Sequence, residues 1–158
     1  MEPRVNLAAT PVAAKALKHF ATASQVLIAG STVPRKTLDL VMLRASQING
    51  CGYCTDIHTK DAAHAGESAV RLNLVAAWRE STVFTDAERA ALDLTEQGTR
   101  IADAAGGVPD ETWAAAGHHY DDDQLGVLVS IIALINASNR MGVVTRMQGG
   151  GYEVGQLG

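Results

Sequence analysis

The sequence predicts an all-α protein of about seven helices, and three observations carry that expectation. Alternating runs of β-branched and aromatic residues are missing, and aromatics make up only 4% of the chain, too few for a sheet built on such pairs. Apolar residues instead recur at helical spacing from end to end. Proline, Asn-Gly, Gly-Gly and acidic start signals punctuate the chain at helix-length intervals. With 158 residues, 47% of them hydrophobic, the chain has enough apolar side chain for one core. The expectation is therefore a single domain over residues 1–158, with its core at about 15–145 and a Gly-rich tail at 148–158.

The first helix is expected from Pro11 to about Ala29, rich in Ala and Leu and stopped by Gly30 before Ser31, Thr32 and Pro34. The second starts near Pro34, since proline suits a first turn, and runs through Leu38, Val41, Met42 and Ala45 to the Asn49-Gly50 stop. The third begins at Cys51 and ends near Gly66. A fourth covers roughly Glu67 to Glu80, with Val70, Leu74 and Trp78 four apart on one face. Thr85 and Glu88 have the spacing of a capping box that opens a fifth helix through Ala90, Leu94 and Ile101 to Gly106-Gly107. Pro109, Asp110 and Glu111 start a short sixth. Asp121, Asp122 and Asp123 suit the positive end of a seventh, which continues through Leu125, Leu128, Ile131, Ile132 and Ile135. Apolar residues surround that last axis, as in a central core helix or a subunit interface. No internal repeat or long linker interrupts the pattern.

Composition excludes several classes of function. The net charge is −4 and no stretch gathers Lys or Arg into a stripe, so neither nucleic acid nor an anionic membrane is an expected partner. Residues Met1 to Thr10 lack a signal-peptide core, and the longest apolar-rich run, Leu125 to Ala137, is too short to span a bilayer. A cytoplasmic protein is expected. Its only two cysteines sit three apart, which rules out a long disulfide framework and calls for a local explanation.

That explanation lies in the run Asn49-Gly50-Cys51-Gly52-Tyr53-Cys54-Thr55-Asp56-Ile57-His58. On a helix, positions 51, 54 and 58 fall within an arc of about 60°, so all three side chains share a face. Cys54 and His58 are four apart, the spacing at which helical side chains touch, whereas Cys51 and His58 lie roughly 10 Å apart along the axis. His58 is thus placed to deprotonate Cys54, and the thiolate is the nucleophile. Cys51, expected in the first turn and more exposed, is one turn away and placed to resolve an oxidised Cys54. A sulfenic acid on Cys54 would be captured as a disulfide that an external dithiol reduces. If Asn49-Gly50 reverses the chain, the two flanking helices lie antiparallel and Asp39 comes near the height of His58, where an acid can orient the imidazole or relay its proton. Ser46, seven residues after Asp39 on the same stripe, is a supporting candidate nearer the sulfurs.

The run from Leu43 to Ala62 that contains this motif strongly resembles the AhpD-like alkylhydroperoxidase branch of the carboxymuconolactone decarboxylase family. So do Trp78-Arg79-Glu80-Ser81, Glu88-Arg89-Ala90-Ala91-Leu92 and Asn139-Arg140, and the likeness spans about residues 15 to 145. The resemblance implies an all-helical fold, assembly as trimers or hexamers, and reduction of a hydroperoxide substrate. It also implies an external dithiol reductant of lipoyl or thioredoxin-like type and no bound cofactor. By the same resemblance Cys54 attacks, Cys51 resolves, and His58 relays protons with an upstream glutamate whose place is taken by Asp39. Aspartate is one methylene shorter, so the relay needs an added water or runs weaker. Tyr53 stands where relatives sometimes carry a histidine.

Other readings weigh less. Zinc would need His64 beside His58, yet His64 points roughly 120° away on a continuous helix. Haem attachment needs histidine at Thr55, and a thioredoxin fold needs strands. Two cysteines packed merely as small apolar residues is a further reading, weakened by the alignment of Cys54 with His58. The lactone decarboxylation of other family branches generally goes without the cysteine pair. A redox-sensing or thiol-disulfide exchange module, in which the disulfide changes a partner surface with little turnover, is the main alternative to an enzyme. His19, His118 and His119 read as surface groups, Asn139 and Arg140 as capping or subunit-contact residues, and Trp78 and Trp113 as packing residues.

Overall fold

The computed structural model describes residues 2–156; the last two residues of the expected tail lie outside them. Among the described residues there are seven α-helices and no strand: α1 (Pro11–Gly30), α2 (Arg35–Ile48), α3 (Gly52–His64), α4 (Ala69–Leu74), α5 (Asp86–Thr99), α6 (Asp110–Gly117) and α7 (Asp122–Thr145). Short 3-10 segments occupy Leu7–Ala9, Val75–Glu80 and Ile101–Asp103.

Local chemistry sets several of these ends. Thr85 Oγ1 accepts the Glu88 amide while the Glu88 carboxylate accepts the Thr85 amide at 2.8 Å, closing the capping box foreseen at α5. Asp121 and Gln124 form a second such box at α7. The last turn of α7 ends on Arg146 in the left-handed region (φ 59°), and Met147 N–H bonds back to the Gly142 carbonyl.

The expected fourth helix is in fact two pieces. After α4 the backbone leaves helical geometry at Ala77 (φ −123°, ψ 32°), and the side chains that point inward are Leu72, Val75 and Trp78, three apart rather than four. Val70 is consequently 61% exposed instead of sharing a buried face with Trp78. The kink brings the Trp78 indole N–H to Glu96 on α5 at 2.9 Å; the same carboxylate accepts Arg44 Nε from α2 at 2.7 Å. Trp78 therefore packs as expected. Trp113 does not: it is 47% exposed on α6.

The core lies on both sides of α2, in which every residue from Thr37 to Leu43 is buried. Leu38, Val41 and Ala45 meet Leu94 of α5 and Leu128, Ile131 and Ile135 of α7. Leu40 and Leu43 point the other way, onto Leu72, Val75, Trp78, Phe84 and Leu92. At about 1.5–3 kcal/mol per fully buried large apolar side chain, these two clusters hold the helices around α2. The deepest helix is thus α2, and α7 is buried along one side while Val129, Val143 and Val144 face outward. α7 continues well past Ala137, and by length and composition alone it is apolar enough to cross a membrane. Its buried Asn136 and Asn139 instead find polar partners inside the protein.

Candidate functional site

Helix α2 ends by handing its carbonyls to a tight reversal: Asn49 N–H bonds to the Ala45 carbonyl, and Cys51 N–H to that of Ser46 at 3.0 Å. Gly50 makes the reversal possible, since its φ of 65° is strained for a residue with a side chain. The chain then doubles back as α3 packed along α2. Cys51 is extended (φ −81°, ψ 93°) and sits not in the first turn but at the cap position of α3, its sulfur accepting the Cys54 amide at 3.3 Å. Cys51 and Cys54 are joined in a disulfide, with Cα atoms 5.3 Å apart.

The relative exposure of the two sulfur residues reverses the expectation. Cys51 is 1% exposed and Cys54 5%, because α7 lies across the former. The covering backbone is that of Gly142: a Cβ built there would lie 2.8 Å from the Cys51 sulfur and 3.6 Å from that of Cys54. A groove of about 180 Å³ runs beside this contact between the start of α3 and the end of α7, lined by Gly50, Cys51, Gly52, Gly142, Val143, Arg146, Met147 and Gln148. A broader depression of about 760 Å³ lies at the other end of α7, beside Trp113, Tyr120 and Asp121. It is some 30 Å of helix away, and the chemistry does not reach it.

His58 follows Cys54 by one turn of α3, and its ring makes no hydrogen bond among the described residues while the sulfurs are joined. His58 is half-buried as a residue, and protein packs around its ring closely enough that loss of hydration, reinforced by the nearby Arg35 cation, pushes its pKa down to about 4. The ring is neutral near pH 7. Asp39 is buried, with its carboxylate taken by Arg35 Nε at 2.8 Å, not by the imidazole. Burial raises the Asp39 pKa, Arg35 opposes the rise, and the charges of Asp61 and Glu67 add to it. Arg35 therefore acts on both groups: it holds the acid and biases the base.

Ser46 is fully buried behind the turn. Its hydroxyl donates to the Met42 carbonyl at 2.8 Å and accepts Asn139 Nδ2 at 3.1 Å. Asn49 Nδ2 donates to the side-chain oxygens of Asn139 and Asn136, each at 2.9 Å. The reverse orientation of the Asn139 amide would set two amide nitrogens 2.9 Å apart. Asn139, expected at a cap or a subunit contact, is instead buried behind this turn, while Arg140 one residue on is exposed. Arg140 donates to the Asn136 carbonyl at 3.1 Å.

Sequence reasoning missed Arg35, Gly142 and the tail. A cation four residues before Asp39 is a readable pairing signal, but one glycine in an apolar helix carries none until the sulfur above it is located. Beyond Arg146 the chain lies as a strap along α3: Gly150 and Tyr152 amides donate to Asp56 at 2.7 and 3.1 Å, and the Tyr152 hydroxyl donates to Asp61 at 2.8 Å. Gly149 meets Gly52 so closely that a Cβ there would fall 2.4 Å from its carbonyl oxygen.

The sequence profile described as the carboxymuconolactone decarboxylase family matches residues 14–97, over half of the chain. The chain belongs to the carboxymuconolactone decarboxylase family. Within that family it is similar to YdfG of Bacillus subtilis, an uncharacterised protein, at 41% identity over 113 residues, covering 72% of this chain and 76% of YdfG. A crystal structure of a protein of unknown function from Agrobacterium tumefaciens, described as a candidate AhpD antioxidant defence protein, superposes with a TM-score of 0.86. It is 34% identical and covers 96% of this chain and 100% of its own. An uncharacterised peroxidase-related protein from Ralstonia eutropha with an alkylhydroperoxidase AhpD core shares the fold alone. It has a TM-score of 0.76 at 20% identity, with 92% and 74% of the two chains covered. This carboxymuconolactone decarboxylase family member is thus AhpD-like, as the residues around the cysteine pair implied.

Proposed function

We propose that this protein is a thiol-dependent peroxidase that reduces alkyl hydroperoxides with its cysteine pair. One observation carries the reading: two sulfurs within bonding reach at the start of α3, with a neutral imidazole one turn beyond the second. In the reduced protein Cys54 gives its proton to His58, whose low affinity for it rises once a thiolate stands beside the ring. The Cys54 thiolate attacks the terminal peroxide oxygen. The S–O bond forms, the O–O bond breaks, and the alkoxide leaves with the proton from His58 as an alcohol. Cys51 then attacks the sulfenic sulfur, forming the disulfide and releasing water. Asp39 serves by fixing Arg35 near His58. A dithiol of lipoyl or thioredoxin-like type restores the thiols, and the working form is a cytoplasmic trimer or hexamer.

Titrating the reduced protein with an alkyl hydroperoxide should consume about two thiols per chain and close the disulfide. No thiol loss overturns the reading. In a coupled assay with a dithiol donor, wild type should cycle and Cys54→Ser should not. Oxidation without turnover in the wild type would mark a redox sensor instead.

A further inference from the structure

The site has a direction, set by the different surroundings of its two sulfurs. We propose that a reducing thiol enters the disulfide at Cys54 and that Cys51 is the leaving sulfur, its departing charge received by the start of α3 and its position held by Gly142. The inference rests on the peroxidase reading only for the biological purpose of the step; its chemistry concerns the disulfide itself.

Two observations point the same way, the hydrogen bonding of the Cys51 sulfur and the cover over it. The Cys51 sulfur accepts the Cys54 amide at 3.3 Å, so a thiolate there gains a hydrogen bond and the positive end of a 13-residue helix. Cys54, inside the helix, has no equivalent donor among the described residues. Exposure also favours Cys54, at 5% against 1% for Cys51. Finally, the Gly142 backbone closes over Cys51 so tightly that even one added carbon would press on its sulfur. An incoming nucleophile must line up behind the sulfur it attacks and opposite the one it expels, and it proceeds faster when the expelled thiol has the lower pKa. Departure of Cys51 meets the second condition, and the backbone of Gly142 against Cys51 leaves Cys54 the less covered sulfur for the first.

The exchange balances without a further reactant. A thiolate bonds to the Cys54 sulfur, the Cys51–Cys54 bond breaks, and its electron pair leaves on Cys51. A second thiol, or the other arm of a dithiol, attacks the incoming sulfur and releases Cys54 as thiolate. Two thiols become one disulfide, and their two protons finish on Cys51 and Cys54. The same capped thiolate explains resolution, since Cys51 must be ionised to attack a sulfenic sulfur on Cys54. Gly142 is a positioning residue here: it touches the sulfur without taking part in bond exchange.

The test needs no peroxide. Oxidised protein is mixed briefly with 2-mercaptoethanol, quenched in acid, labelled with N-ethylmaleimide and sequenced by fragment mass spectrometry. The mercaptoethanol adduct is expected on Cys54 and maleimide on Cys51, by about ten to one for a leaving thiol whose pKa is depressed as at other helix starts. Adduct mainly on Cys51, reached through the groove beside it, or an even split, overturns the proposal. Gly142→Ala presses a methyl onto the Cys51 sulfur and should push it off the Cys54 amide, shifting the ratio toward parity while far-ultraviolet circular dichroism stays unchanged; a ratio unmoved in a folded variant overturns the positioning role given to Gly142. A third measurement does not depend on that variant: thiolate absorbance in Cys54→Ser should titrate well below the ordinary cysteine value of about 8.5, and a midpoint at or above it overturns the role given to the helix start. Failure of the peroxidase reading would appear separately, as unchanged thiols under hydroperoxide with the labelling pattern intact.

Discussion

Replacing His58 by glutamine should remove an acid sensitivity that the wild-type fold carries. In an unfolded chain a histidine takes up its proton near pH 6.5, but burial and Arg35 delay uptake in the folded protein to about pH 4. Between those values the unfolded state binds more protons, so the folded state loses stability as the pH falls. The contribution is fully present above pH 6.5 and is lost on the way down to 4. Integrated from pH 7.5 to pH 5, the difference is about 2 kcal/mol, and it approaches about 3 kcal/mol below pH 4. Urea unfolding of the oxidised protein at pH 7.5, 6 and 5 measures it when wild type and His58→Gln are compared at each pH. Asp39 runs the other way, because its raised pKa makes the folded state the better proton acceptor in acid, but it is present in both proteins and cancels. Wild type should lose about 2 kcal/mol more than the variant over that range. Parallel pH profiles would refute the claim that the ring is held neutral by its surroundings.

Two further outcomes follow from the same geometry. Arg35→Gln removes the cation beside both groups, so the His58 titration followed by proton NMR should move upward from about 4; an unmoved midpoint would leave burial as the whole cause. Glu96→Ala strands the Trp78 indole N–H and the Arg44 guanidinium in the interior, and should cost about 3–5 kcal/mol in chemical denaturation. A loss under about 1 kcal/mol would show that these bonds do not hold the kinked segment to α2 and α5.

What could be read in advance was what depends on neighbours in sequence. Thr85 with Glu88 and the acids at 121 to 123 announce helix starts because capping is settled within one turn. Asn49-Gly50 announces the hairpin that sets α2 against α3, since the positive φ of Gly50 is a local requirement. The side chains at 54 and 58 follow from helix periodicity alone. What could not be read depends on partners far along the chain. No proline or glycine marks the kink at Ala77, which goes with the reach of Trp78 to Glu96, eighteen residues on. The burial of Cys51 depends on α7, ninety residues later, and the strap depends on acids of α3 that look like ordinary surface charge. Asp39 illustrates the limit: the hairpin that follows it is local, but the choice of Arg35 as partner for its carboxylate, rather than the imidazole, was not read in advance.

A crosslink between residues three apart closes one of the smallest rings a chain can make. Loop-closure entropy values such a ring at about 2 kcal/mol, against nearly 5 kcal/mol for a crosslink spanning roughly 100 residues. The architecture is accordingly not staked on that bond, because neither apolar cluster beside α2 includes either cysteine. On the proposed peroxidase reading, making and breaking that bond would leave the helices held by contacts the sulfurs do not make, so lability at one point would coexist with permanence around it.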